Sequence, residues 1–329
     1  MHLQNRARTA QGSSQISKDA YEEARGTSRD FRIMRLLSAE GYAEEIAEWT
    51  WSPTGLSKAM TDVSLEACVV HSFDTTARVQ SHLPEYFRRV GYQCTTSHGD
   101  GPFQYGMQTD LSFFDFLHAH PERALTFDAY MTGNRSTRKH WLEWFPFRKE
   151  VLDPWIQGTR QDDDSVLLVD MAGGRGRDVT LLTQRFPEAK SHVVLQDLAG
   201  TLQDSKVDRG SISVCAHDIF ASQPITGAEI YYTHFVLHDF SDERCIIMLN
   251  HVKAAMRPHS RILLNEIVLP ERDCPSFFAA ADITMMTNLS ALARSEKQWR
   301  HLIESVGLDV IRIWKSPDAE DWEAVIEVR

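Results

Sequence analysis

Cysteine is scarce and scattered in this 329-residue chain: Cys68, Cys94, Cys215, Cys245 and Cys274 are odd in number and form no C-x-x-C pair. That argues against a disulfide framework and a thiolate zinc site, and we read them as small buried apolar residues. Long apolar runs are missing too. Stretches such as Val166–Val169 and Ile246–Leu249 fall far short of the roughly 18 residues that span a bilayer. Met1–Ala10 (MHLQNRARTA) has no apolar signal core, so the expected compartment is the cytoplasm. Positive charge is in deficit, with 35 Lys and Arg against 46 Asp and Glu and a formal net charge of −11. Such a surface gives no basic field for a polyphosphate backbone, which argues against nucleic acid and favours a small-molecule partner. There is no internal repeat or low-complexity tract.

What is present falls into three expected parts. Residues 1–27 are rich in Gln, Ser, Arg and Ala and read as an N-terminal arm. Residues 28–150 read as a mainly helical domain. It opens with an apolar helix face (Phe31, Met34, Leu36, Leu37) and a short ribbon around Trp49–Thr54, the look of a partial winged helix. With so much acid around it, a dimerising role fits better than DNA reading. Bulky aromatics follow at high density, among them Phe103, Tyr105, Phe113, Phe116, Trp141 and Phe145. They either line a cavity for a flat ligand or fill a helical core. Residues 151–329 read as α/β.

In that last part seven strand candidates alternate with helical patterns: Val166–Met171, His192–Leu198, Ile212–Asp218, Glu229–Phe235, Arg261–Leu269, Asp309–Lys315 and Trp322–Val328. This predicts a doubly wound sheet covered on both faces. Between Ser316 and Trp322 there are too few residues for a right-handed crossover helix, so the last strand is predicted to run antiparallel to its neighbour. The first strand ends in Val169-Asp170-Met171-Ala172-Gly173-Gly174-Arg175-Gly176. Its three glycines let backbone pass close under a ligand at a helix N-terminus, and the spacing, with no Lys following, is not that of an NTPase P-loop. Asp197, at the second strand end, is placed to accept ribose hydroxyls. Asp218, at the third, can accept from an adenine amino group, with Ile219 and Phe220 as apolar walls. His238, above this edge, is a candidate general base. His234, His238 and Asp239 do not sit on one helix face, and no metal is expected.

Six motifs occur in order over about 130 residues: Val169-Asp170-x-x-Gly173-Gly174-x-Gly176, Gln196-Asp197-Leu198, His217-Asp218-Ile219-Phe220, Leu237-His238-Asp239-Phe240-Ser241-Asp242, Asn265-Glu266-Ile267-Val268-Leu269-Pro270 and Arg294-Ser295-Glu296-Lys297-Gln298-Trp299. Together they resemble the plant caffeate/flavonoid type of S-adenosylmethionine-dependent O-methyltransferase, especially its fungal secondary-metabolite branch. The resemblance covers roughly residues 28–329 and implies a class I methyltransferase fold with S-adenosyl-L-methionine as cofactor.

Carried over by position, the resemblance implies that His238 is the base and that Glu266 and Glu296 bracket its imidazole. Gly173, Gly174, Gly176, Asp197, Leu198, Asp218, Ile219 and His234 fall at cofactor positions. Asp239, Met131, Trp141, Phe145, Met285, Met286 and Asn288 are expected around the acceptor, a phenolic hydroxyl of a small aromatic metabolite. The family usually carries Lys or Arg where this chain has His234. It also usually begins with further helices that complete an intertwined homodimer, whereas only some thirty residues precede the first helix here, so dimerisation is expected in a weakened form. Rival readings are a nicotinamide dehydrogenase, a methyltransferase-fold protein that binds the cofactor but catalyses a rearrangement or cyclisation, and a non-catalytic scaffold.

Overall fold

A computed structural model describes residues 29–93, 99–136, 138–158, 165–203, 205–318 and 322–329. The expected N-terminal arm and Cys94 lie outside the described residues.

The sheet follows the apolar patterning. Strands β3 (Leu168–Met171), β4 (Val193–Asp197), β5 (Ser213–Ala216), β6 (Ile230–His234) and β7 (Arg261–Leu269) are parallel neighbours, and β9 (Val310–Lys315) and β10 (Glu323–Val328) complete the order β5-β4-β3-β6-β7-β10-β9. The central strands are rich in Val, Ile, Leu and Tyr and are buried on both faces, as a sheet covered by crossover helices requires. As predicted, β10 is reversed, pairing antiparallel with both β7 and β9. A two-residue strand, β8 (Arg294–Ser295), pairs parallel with the end of β7. It has no counterpart among the predicted strands, because two residues are too short to show a period.

By packing, the described residues form two units: residues 29–73 with 121–136, and residues 74–120 with 138–329. In the first unit, helix α1 (Arg29–Ala39) precedes an antiparallel hairpin of β1 (Ala43–Ala47) and β2 (Thr50–Pro53). The Phe31 ring meets the Trp49 ring edge-on with centroids 4.6 Å apart. Helices α2 (Val63–His71) and α4 (Pro121–Ser136) pack together there.

The second unit holds α3 (Leu83–Val90), α5 (Arg177–Arg185), α6 (Asp242–Ala255), α7 (Ser276–Leu289) and α8 (Glu296–Ser305). One side of the sheet is filled by Tyr231, Met248, Leu249, Trp299 and Ile303. The other is filled by Trp141, Phe145, Phe147, Val151, Leu152 and Trp155 against Leu195, Tyr232 and Val325. Trp141 stacks on Tyr232 with centroids 4.7 Å apart, and Phe145 meets Trp314 edge-on at 5.4 Å. Trp141 and Phe145, expected around the acceptor, are placed by this packing in the core on that side of the sheet. Both rings are spent in the sheet core, the usual fate of large aromatics at a sheet–helix junction.

Candidate active site

All the parallel strands end at one edge, where open α/β sheets bind ligands. At the end of β3 the chain turns through Ala172 at φ 54°, Gly174 at φ 61° and Gly176 at φ 82°. Gly174 faces open space, whereas a Cβ on Gly173 would collide with Asp170 and Leu195, and one on Gly176 with Val207 and Leu195. Gly173 and Gly176 thus let the loop lie flat on the sheet, and at Gly174 the space where a side chain would stand is open. Gly176 is the N-cap of α5. Asp197 pins the loop: Oδ2 accepts from the Gly174 N–H at 2.8 Å and Oδ1 from the Leu198 N–H at 2.7 Å. Leu198 is exposed at this edge. The Asp218 carboxylate accepts from the Phe220 N–H at 2.9 Å, and Ile219 packs against the sheet core.

His238 lies on a single 3-10 turn, Leu237–Asp239, just past β6. Glu266, wholly buried on β7, holds this turn in two ways. Its Oε1 accepts from the Val236 and Leu237 N–H groups at 3.0 and 2.8 Å, and its Oε2 stands 2.9 Å from Nδ1 of His238. The far side of the turn is tied down by Arg294, fully buried on β8, which donates to the carbonyls of Leu237 and Phe240 and to the Asp242 carboxylate. Nε2 of His238 points to Oδ1 of Asp239 at 3.2 Å.

Burial alone would push the His238 imidazole down, but the carboxylates of Glu266 and Asp239 reverse this and raise it to about 10. Glu266 is held below the ordinary range: burial opposes its charge, and the facing imidazolium and the two backbone N–H donors outweigh burial. At neutral pH the resting His238 is therefore an imidazolium between two carboxylates.

Glu296 is not one of those carboxylates, which corrects the expected bracketing pair. It is the first residue of α8, and its carboxylate pairs with Arg300 one turn on at 2.9 Å and with Lys315 of β9 at 3.9 Å. The second acid beside the imidazole is Asp239, expected instead to meet the acceptor.

His234 is also committed. Its Nδ1 is 2.6 Å from Asp178 Oδ2 and its Nε2 is 3.6 Å from Glu323. Asp178, in the first turn of α5, also meets His140 Nε2 at 3.0 Å and the Tyr232 hydroxyl at 2.9 Å. Burial would raise the Asp178 carboxyl, but the two imidazoles carry it well below its usual range. Sequence reasoning missed this cluster. An acid one residue into a helix reads as an ordinary dipole partner, and nothing in the chain marks His140 as reaching a residue thirty-eight positions away.

Of the remaining acceptor candidates, Met285, Met286 and Asn288 lie on α7 in this unit, with Asn288 donating to Thr76 Oγ1 at 3.1 Å. Met131 lies on α4 in the first unit.

Comparison with known proteins assigns this arrangement. An O-methyltransferase domain matches residues 163–309. O-methyltransferase asqD of Emericella nidulans is 35% identical over 298 residues, covering 90% of this chain and 76% of that protein. The chain belongs to the O-methyltransferase family. Demethylsterigmatocystin 6-O-methyltransferase of Aspergillus parasiticus is 30% identical over 281 residues, covering 85% of this chain and 70% of its own length. A solved structure described as a pericyclic reaction enzyme superposes with a TM-score of 0.83 at 25% identity, over 97% of this chain and 81% of that one. The protein is thus an S-adenosylmethionine-dependent O-methyltransferase with the class I fold. The residues present fit that cofactor: a glycine loop with open space at Gly174 leads into a helix N-terminus and lies beside an acid already fixed at the adjacent strand end.

Proposed function

We propose that this methyltransferase methylates a phenolic hydroxyl of a small aromatic secondary metabolite, with His238 receiving the hydroxyl proton. S-adenosylmethionine supplies the electrophilic methyl group. The observation that carries the reading is the fixed imidazole, with Nδ1 anchored by buried Glu266 and Nε2 facing the open side through Asp239. A proton acceptor must present a bare nitrogen. An acceptor hydroxyl that displaces Asp239 from Nε2 removes one of the two charges that hold the extra proton, and a cation bound nearby disfavours it further. With that proton released to solvent, Nε2 takes the phenolic proton as the oxygen gains its methyl, while Glu266 keeps the ring oriented and balances its charge.

Gly173, Gly174 and Gly176 would underlie the cofactor, Asp197 its ribose, and Asp218, Ile219 and Leu198 its base. Met285, Met286 and Asn288 are assigned to the acceptor side. The curated relative named for a sterigmatocystin precursor supports an aromatic acceptor. We further assign the protein to the cytoplasm, without nucleic-acid partners, and as a homodimer. Consistent with this, no helix among the described residues is long and apolar enough to cross a membrane. The test is incubation with methyl-labelled cofactor and a panel of phenols, read by mass spectrometry. One added methyl on a phenol is the expected result.

A second reading keeps the cofactor and changes the reaction to a rearrangement or cyclisation. It is favoured by the proton that His238 holds at rest, which suits hydrogen-bond donation to a substrate carbonyl, and by the pericyclic enzyme that shares the fold. In that case an isomer of unchanged mass would form and no cofactor would be consumed.

A further inference from the structure

His234 occupies the position from which a cation was expected to meet the cofactor, yet its two nitrogens face Asp178 and Glu323 and it is almost wholly buried. Any charge it carries is already answered by carboxylates. The same corner holds a cation that is not. Arg138 lies two residues before His140, which grips Asp178 at the start of α5. Its guanidinium lies over the ring of Phe235, 5.6 Å from the centroid. Phe235 follows directly on β6 with φ 54° and sets its ring 5.5 Å from that of His238. Nη1 of Arg138 is buried and has no hydrogen-bond partner. A buried guanidinium donor left unmatched is costly, and a carboxylate is its best geometric complement. Arg175 and Arg177, the other cations at the loop, are exposed to solvent.

Sheet order says which carboxylate this is. Running along the edge, Asp218 follows β5, Asp197 ends β4, the glycine loop follows β3, and His238 follows β6. A nucleoside held by the first two residues would bring its sulfur toward the glycine loop and His238, and its amino-acid tail toward the ends of β3 and β6, near α5 and Phe235. We propose that Arg138 binds the α-carboxylate of the cofactor's amino-acid tail, and that His234 serves as a buried support for Asp178 and α5. The assignment rests on the cofactor site described above.

The test is calorimetric titration of the wild type and of Arg138→Met with S-adenosylhomocysteine and with its α-carboxamide, which differs only in lacking the carboxylate charge. Wild type should prefer the acid by about ten- to hundredfold, the range of a buried charge-assisted contact. Arg138→Met should bind both ligands as wild type binds the amide, and Arg138→Lys should recover part of the preference. Undiminished preference for the acid in Arg138→Met overturns the proposal, and it is also the result expected if the guanidinium serves an anionic group on the acceptor. Equal loss of both ligands in Arg138→Met and Arg138→Lys overturns it as well, marking a structural role. Failure of either ligand to bind the wild type overturns the cofactor site itself and the proposal with it.

Discussion

At the scale of single residues, the site is governed by how many carboxylates one imidazole faces. Glu266 cannot leave, because it also holds the backbone of the turn that carries His238. Asp239 is only partly buried and touches Nε2 alone, so it is the partner that an acceptor can replace. Its charge therefore helps keep His238 protonated in the free enzyme, and the base becomes available only as pH rises toward about 10. Asp239→Asn removes that charge, and the rising limb of the kcat/KM profile should move to lower pH by about 1 unit or more. An unmoved limb would mean that Asp239 does not set the proton affinity of His238. The sign for stability is fixed by the same shift. A folded-state value above the unfolded one makes the ion pair stabilising below about 6.5, with the contribution lost as pH climbs through about 10.

At the scale of elements, much of the fold was legible and part of the site was not. The strand at Arg261–Leu269 was readable to its ends because a mainly apolar run of nine residues, buried on both faces, leaves little choice. The reversed final strand followed from a connection too short to cross over. The glycine turn and Asp197 were legible because each sits at a strand end, where position along the chain fixes position at the edge, whereas the His238–Glu266 pair was implied by the family resemblance. Glu296 was misplaced for the same physical reason in reverse. It opens a helix, and one turn of rotation hands its carboxylate to Arg300. For Trp141 and Phe145, composition cannot distinguish a pocket wall from a core when both are aromatic. Trp141 is 1% exposed and stacked on Tyr232. Trp141→Ala should cost roughly 3–5 kcal/mol of stability, measured by urea unfolding, and leave the KM for the acceptor unchanged. A raised KM at unaltered stability would return the residue to the pocket.

At the scale of the whole molecule, apolar side chains remain on the surface of the first unit. Val63, Leu65, Val69 and Val70 on α2 and Leu125 on α4 are all exposed. Val63 and Val70, seven residues apart, share one face of α2, and the proposed homodimer would cover that face. Sedimentation at micromolar concentration should give twice the chain mass of 37.6 kDa, and Val63→Glu with Val70→Glu should return the monomer. A wild-type monomer would remove the dimer from the account.

The proposed role of His238, accepting the proton that methyl transfer releases, is tested by His238→Ala, assayed for transfer to a phenol alongside calorimetric binding of S-adenosylhomocysteine. Transfer should fall by about 10²- to 10⁴-fold while cofactor affinity stays at the wild-type level, since the imidazole sits beyond the glycine loop and Asp197. Full methyl transfer by His238→Ala would contradict the account.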